Sequence, residues 1–187
     1  RTGAGGTDGV HINGNNKTWI IDSGDGTIAI TGISKGTGSN FASGVRFNIS
    51  AGTIRSTATA ENAISIFGDA SATSGNATRS DGVTIEPAVS FQATGSGGGI
   101  SIEGIGTSNA CSATGGACYG ISATNKDNVG QAKFLAASGP INLTARGSEN
   151  VATKLFLYSS TVGFDGTILN ASSSDITLTA DTVNLTG

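Results

Sequence analysis

A short phrase, glycine followed by alternating aliphatic residues, returns along this chain at nearly constant intervals, and no other feature constrains the fold as much. "GVHI" at Gly9 comes back as "GVRF" at Gly44, "GVTI" at Gly82 and "GISA" at Gly120, and more loosely as "KLFL" at Lys154. A second phrase keeps step with it: "GTIAITG" (Ile28), "NAISIFG" (Ile64), "GGISIEG" (Ile100), "GPINLTA" (Ile141) and "SDITLTA" (Ile176). Between the two lies a third apolar spot, at Ile20 in "TWII", Ile54 in "GTIRST", Phe91 in "VSFQAT", Leu135 in "KFLAAS" and Ile168 in "GTILNAS". An interval of about 34 to 38 residues falls in the range that marks solenoids and arrays. Five units follow, 9–43, 44–81, 82–119, 120–153 and 154–187, within a single segment spanning 1–187.

Three short strands per unit, apolar and polar in alternation with Gly, Ser or Asn at the corners, describe one turn of a parallel β-solenoid. Alternation points Val45, Phe47 and Ile49 inward and leaves Arg46, Asn48 and Ser50 facing water. Each strand is expected to pair with its counterpart one repeat later, about 4.8 Å away, so that Ile28, Ile64, Ile100, Ile141 and Ile176 stack as one column. A coil of half this length is the alternative, since the two main phrases alternate. The half "ISIFGDASATSGNATRS" has no residue larger than alanine on its apolar side after Phe67, which favours the long coil.

Composition agrees with an all-β fold. The 187 residues include 30 Gly, 2 Pro and no Met, and no stretch sustains a 3.6-residue apolar period. With a net charge of -3 and ten basic residues scattered singly, the chain lacks the clustered Lys/Arg that nucleic acid or an anionic membrane surface needs. No apolar run approaches the roughly 18 residues of a membrane helix.

Variable excursions follow the second phrase in the first four units: "ISKGTGSNFAS", "DASATSGNATRSD", "IGTSNACSATGGACY" and "RGSENVATK". These are expected outside the tube at one corner, where loops carry recognition. The longest holds both cysteines, Cys111 and Cys118. A zinc site would need two more soft or imidazole ligands, and the single histidine, His11, lies three repeats away. A thioredoxin-like site would put two residues between the thiols rather than six. A structural disulfide needs only an oxidising compartment and the turn that "SATGGA" provides, which makes an extracytoplasmic location the expectation.

Repeats of the form "GVxIxxxxxxIxxxGxIxIxG", joined by Gly/Ser/Thr/Asn-rich spacers from about Gly9 to Gly187, resemble the filamentous-haemagglutinin-type exoproteins that Gram-negative bacteria export by two-partner secretion. The resemblance implies a right-handed β-helical fibre and a secreted, cell-surface location at the outer membrane. It also implies work in adhesion, biofilm or cell–cell contact. The partners would be adjacent coils of a longer chain, of which this is an internal piece, and a glycan or protein receptor.

Parallel β-helices also carry polysaccharide lyases and glycosidases, so a carbohydrate-active enzyme or sugar-binding module is the rival reading. Such enzymes converge two or more carboxylates on one face. The outward set Ala29, Ser65, Ser101, Asn142 and Thr177 holds none, and Glu86 and Glu103 fall on different walls, so no catalytic residue is assigned. His11 shares its outward position with Arg46, Thr84 and Ser122 and reads as a surface residue. Trp19 could stack on a sugar but suits packing at a coil edge better. "GAGGTDGVHI" is similar to a calcium-binding β-roll repeat yet occurs once, so no metal or cofactor is expected. Among the Asn-x-Ser/Thr triplets, Asn76 lies in an excursion and is the most accessible candidate for glycosylation.

Overall fold

The computed structural model describes residues 7–14, 17–36, 42–48, 51–73, 80–86, 88–107, 119–123, 132–147, 154–158, 168–171, 174–180 and 182–186. The first round of strands is β1 (Val10–Asn13), β2 (Trp19–Asp22) and β3 (Ile28–Ile33). The next two are β4 (Val45–Asn48), β5 (Gly52–Ser56), β6 (Ile64–Asp69), then β7 (Val83–Ile85), β8 (Val89–Ala93), β9 (Ile100–Gly106). They are followed by β10 (Ile121–Ala123), β11 (Lys133–Ala136), β12 (Ile141–Gly147), and by β13 (Lys154–Tyr158), β14 (Ile168–Ala171), β15 (Ile176–Thr179), β16 (Thr182–Thr186). No helix occurs among the described residues.

Every described pairing is parallel and joins a strand to the third one after it. The result is three sheets: β1-β4-β7-β10-β13-β16, β2-β5-β8-β11-β14 and β3-β6-β9-β12-β15. This all-β, parallel arrangement is of the β-solenoid type. It follows the long repeat interval, and no described strand pairs at the half interval. β16 pairs with β13, so the stretch from Lys154 onward carries four strands rather than three.

The expected columns hold where the register can be read. Ile28 pairs with Ile64, Ile64 with Ile100, Ile100 with Ile141 and Ile141 with Ile176. Val45 and Phe47 are fully buried, whereas Ile49 and Ser50 lie outside the described residues. Burying each such aliphatic or aromatic side chain contributes about 1.5–3 kcal/mol, which is how a chain with few aromatics closes a core.

The second sheet departs from the expected phase. Its inward column is Ile21, Ile54, Phe91 and Phe134, with Leu169 as register partner of Phe134. Ile20 points out and is 65% exposed, and Leu135 is only half-buried, so Ile20, Leu135 and Ile168 each sit one residue off the core column. Where two apolar residues are adjacent, alternation alone does not say which turns in. Here the aromatic packing decides: Phe134 stacks on Phe91 at 5.1 Å, and Phe91 meets Phe47 edge-on at 5.3 Å. Trp19 joins this row, stacked on Phe47 at 6.4 Å, and its ring fills the space a Cβ on Gly52 would need.

The corner between the third and first sheets is a seam of paired glycines. Gly32, Gly68 and Gly104 face Gly44, Gly82 and Gly120, and a Cβ on any of the first three would overlap the carbonyl oxygen of its partner. The chain leaves the third sheet at this seam and returns to it, so each excursion begins and ends at nearly one point. In the next round the register positions are Ala145 and Lys154, and the glycine pair is gone.

Candidate functional site

The residues just before the returning glycines build a polar ledge on the outer side of the first sheet. The backbone ladder extends to them through Gly9 N–H to Ser43 O at 2.9 Å, Gly44 N–H to Asp81 O at 3.1 Å and Gly82 N–H to Tyr119 O at 3.0 Å. This sets Asp8, Ser43, Asp81 and Tyr119 in one line, beside the outward row His11, Arg46, Thr84 and Ser122.

Asp81 is fully buried and its carboxylate accepts hydrogen bonds from Tyr119 N–H at 2.9 Å, Ser122 Oγ–H at 2.7 Å and Thr84 Oγ1–H at 3.0 Å. Thr84 Oγ1 also lies 2.8 Å from Ser43 Oγ. Thr84 and Ser122 are thus 1% and 0% exposed, and the expectation that this row faces water fails in its middle. These strand hydroxyls serve an internal network instead of solvent, and they satisfy a carboxylate that burial would otherwise penalise heavily.

At one end the ledge opens. Asp8 accepts from Ser43 N–H at 2.8 Å and lies 3.4 Å from His11 Nδ1. Burial raises its carboxyl above the usual aspartate value, against the Ser43 N–H and the nearby Arg46 and His11, which lower it. Arg46 in turn holds Glu86 through Nη2 at 2.5 Å and Nε at 3.1 Å, with both side chains largely buried. Two carboxylates, Asp8 and Glu86, therefore flank one guanidinium on one face beside a half-exposed histidine. The register of the Ile columns alone did not reveal this convergence. The recurring "DGV" at Asp8 and Asp81 marks the two aspartates of the ledge, one residue before the phrase, but not Glu86. Glu103 lies apart on the third sheet, where it pairs with Arg146 at 2.7 Å.

The outer face of the second sheet is different in kind. Its rows are Ile20, Thr53, Ser90 and Lys133, and Asp22, Arg55, Gln92 and Leu135. Small side chains in the middle leave a shallow groove of about 320 Å³, bordered by Thr53, Ala88, Ser90, Gln92, Lys133 and Leu135. At the groove's edge Ala88 adopts φ 66°, a left-handed conformation that turns the chain from β7 into β8.

Trp19 takes the packing role, not an outward one. No group of three or more His, Cys, Asp or Glu among the described residues is placed to hold a metal ion. Cys111, Cys118 and Asn76 lie outside the described residues. Comparison with family models, with curated proteins and with solved structures returns no match for this chain.

Proposed function

We propose that the chain is a right-handed β-solenoid segment of about five coils in a secreted, outer-membrane-associated adhesive fibre, non-enzymatic and similar in plan to filamentous-haemagglutinin-type exoproteins. The observation that carries this reading is the pairing of every described strand with the third one after it, in register, along three sheets. Such a chain adds length in one direction at about 4.8 Å per coil while keeping the same side chains on the same walls, which suits a spacer that presents surfaces at a distance. A disulfide between Cys111 and Cys118 and a sugar on Asn76 would belong to the excursions that such a fibre displays. Beads coated with the folded chain are expected to adhere to bacterial or epithelial surfaces, and beads coated with the unfolded Ile100→Asp variant are not. Equal adherence of both would reject the reading.

A second reading, a carbohydrate-active enzyme, draws on the convergence of Asp8 and Glu86 beside Arg46 and His11. A raised aspartate next to a second carboxylate is a pattern that acid–base chemistry on a glycosidic bond uses. Release of reducing ends from a panel of acidic and neutral polysaccharides, abolished by Asp8→Asn or Glu86→Gln, would establish it in place of the first.

A further inference from the structure

We propose that the groove on the outer face of the second sheet is a binding site for an acidic saccharide, a glycan whose sugars carry carboxylates. The inference rests on the adhesive reading and gives it a ligand class and a location.

Charge is the first argument. The strands of this sheet contribute three charged residues to its outer face, Asp22, Arg55 and Lys133. Asp22 and Arg55 stand opposite each other in register and pair through Arg55 Nε at 3.1 Å and through Nη2, which neutralises both. Lys133 is exposed at the groove's border and has no ion-pair partner among the described residues. The face is therefore locally positive on a chain whose net charge is -3, and it selects for an anion. An ammonium on a flexible stem acts as a point charge that follows a carboxylate over several orientations.

Shape and hydrogen bonding are the second. Thr53 and Ser90 are register partners in the floor, and Gln92 donates through Nε2 to Ser90 Oγ at 3.0 Å, leaving its carbonyl oxygen to accept from a ligand hydroxyl. Leu135, half-buried next to Gln92, and the methyl of Ala88 give apolar ground for the C–H face of a pyranose ring. A volume of about 320 Å³ stands at the small end of ligand sites, roughly 300–1,000 Å³, and fits one or two sugar units rather than a peptide. Shallow sites of this size bind weakly one unit at a time, so a polymer engaging several copies of the chain gains its strength from avidity.

The test uses the full chain, immobilised, and soluble polygalacturonate as the probe, with fully methyl-esterified polygalacturonate and dextran as uncharged controls. Binding to polygalacturonate is expected to weaken steeply between 50 and 300 mM salt, to fall at least about fivefold in Lys133→Gln, and to be lost in Ser90→Trp, which fills the groove. Thr31→Lys, on the third sheet, is expected to leave it unchanged. Circular dichroism of each variant separates a lost site from a lost fold, and Lys133→Gln removes charge at an exposed position where folding has little at stake. Equal binding of the esterified polymer, or full binding by folded Lys133→Gln and Ser90→Trp, overturns the assignment. Cell adherence by beads that do not take up polygalacturonate overturns the groove and spares the fibre; failure of both overturns both.

Discussion

Gly32 lies against the carbonyl oxygen of Gly44, so close that a Cβ on Gly32 would overlap it, and Gly68 with Gly82 and Gly104 with Gly120 repeat the contact one and two rounds later. Backbone meets backbone here, with no flexible side-chain end to move aside. At this seam the chain leaves the third sheet and rejoins the first in three successive rounds. Its glycines are therefore needed for close approach rather than for unusual dihedral angles.

Gly68→Ala is accordingly expected to cost at least about 2–3 kcal/mol, because the overlap can be relieved only by parting two strands. Gly24 offers the contrast, with φ 58° and open space where a Cβ would sit. Gly24→Ala should cost about 1–2 kcal/mol through left-handed strain alone. Urea midpoints of the two variants check the order; a smaller loss in Gly68→Ala would remove the seam.

Ile100 is fully buried between Ile64 and Ile141, while its neighbour Ser101 is half-exposed between Ser65 and Asn142. Ile100→Asp places a carboxylate in a dry column with apolar residues above and below, a loss of at least about 4 kcal/mol and enough to prevent folding. Ser101→Asp should stay within about 1 kcal/mol. Soluble yield and β-sheet circular dichroism of both variants test the inward and outward assignment, which equal damage would contradict.

Two aspartates make opposite contributions to the pH dependence of stability. Burial raises the Asp8 carboxyl above 3.8, so the folded chain holds its proton longer than the unfolded chain. The corresponding stability is present below 3.8 and is lost as pH rises through the folded value. The hydrogen bond with Arg55 lowers Asp22 below 3.8, so its contribution is present above that pH and lost as pH falls through the folded value. Stability of Asp8→Asn relative to the parent should thus climb as pH rises from 3.8, and that of Asp22→Asn should climb as pH falls below 3.8. Denaturation series from pH 2.5 to 7 measure both, and parallel curves for the two variants would refute the assignment.

Cys111 and Cys118 are expected to be joined in protein made in an oxidising compartment. Peptide mass mapping without reductant should find the linked pair, and reduction should leave the β-sheet signal intact, since the bond would pin an excursion and not a wall. The loop it closes is short, which limits the stabilisation to about 2–3 kcal/mol. Free thiols in such a preparation would remove both the bond and the argument for export that rests on it.

The repeat phrases by themselves determined the strand walls, the long interval and the first-sheet and third-sheet registers, because each rests on a local period: a glycine, then apolar residues two apart. The same period is silent where two apolar residues are adjacent, and there the tertiary structure chose Ile21 over Ile20, in register with Ile54, and Phe134 over Leu135, with Phe134 stacked on Phe91 and Phe91 edge-on to Phe47 inside the tube. It also decided that Thr84 and Ser122, outward by alternation, are buried rather than wet. Alternation says which side of a sheet a residue takes, but not what lies over that side. Ser122 meets Asp81, and Arg46 meets Glu86, because a solenoid sets residues about a repeat apart in sequence side by side, a proximity that exists only once the sheets have formed.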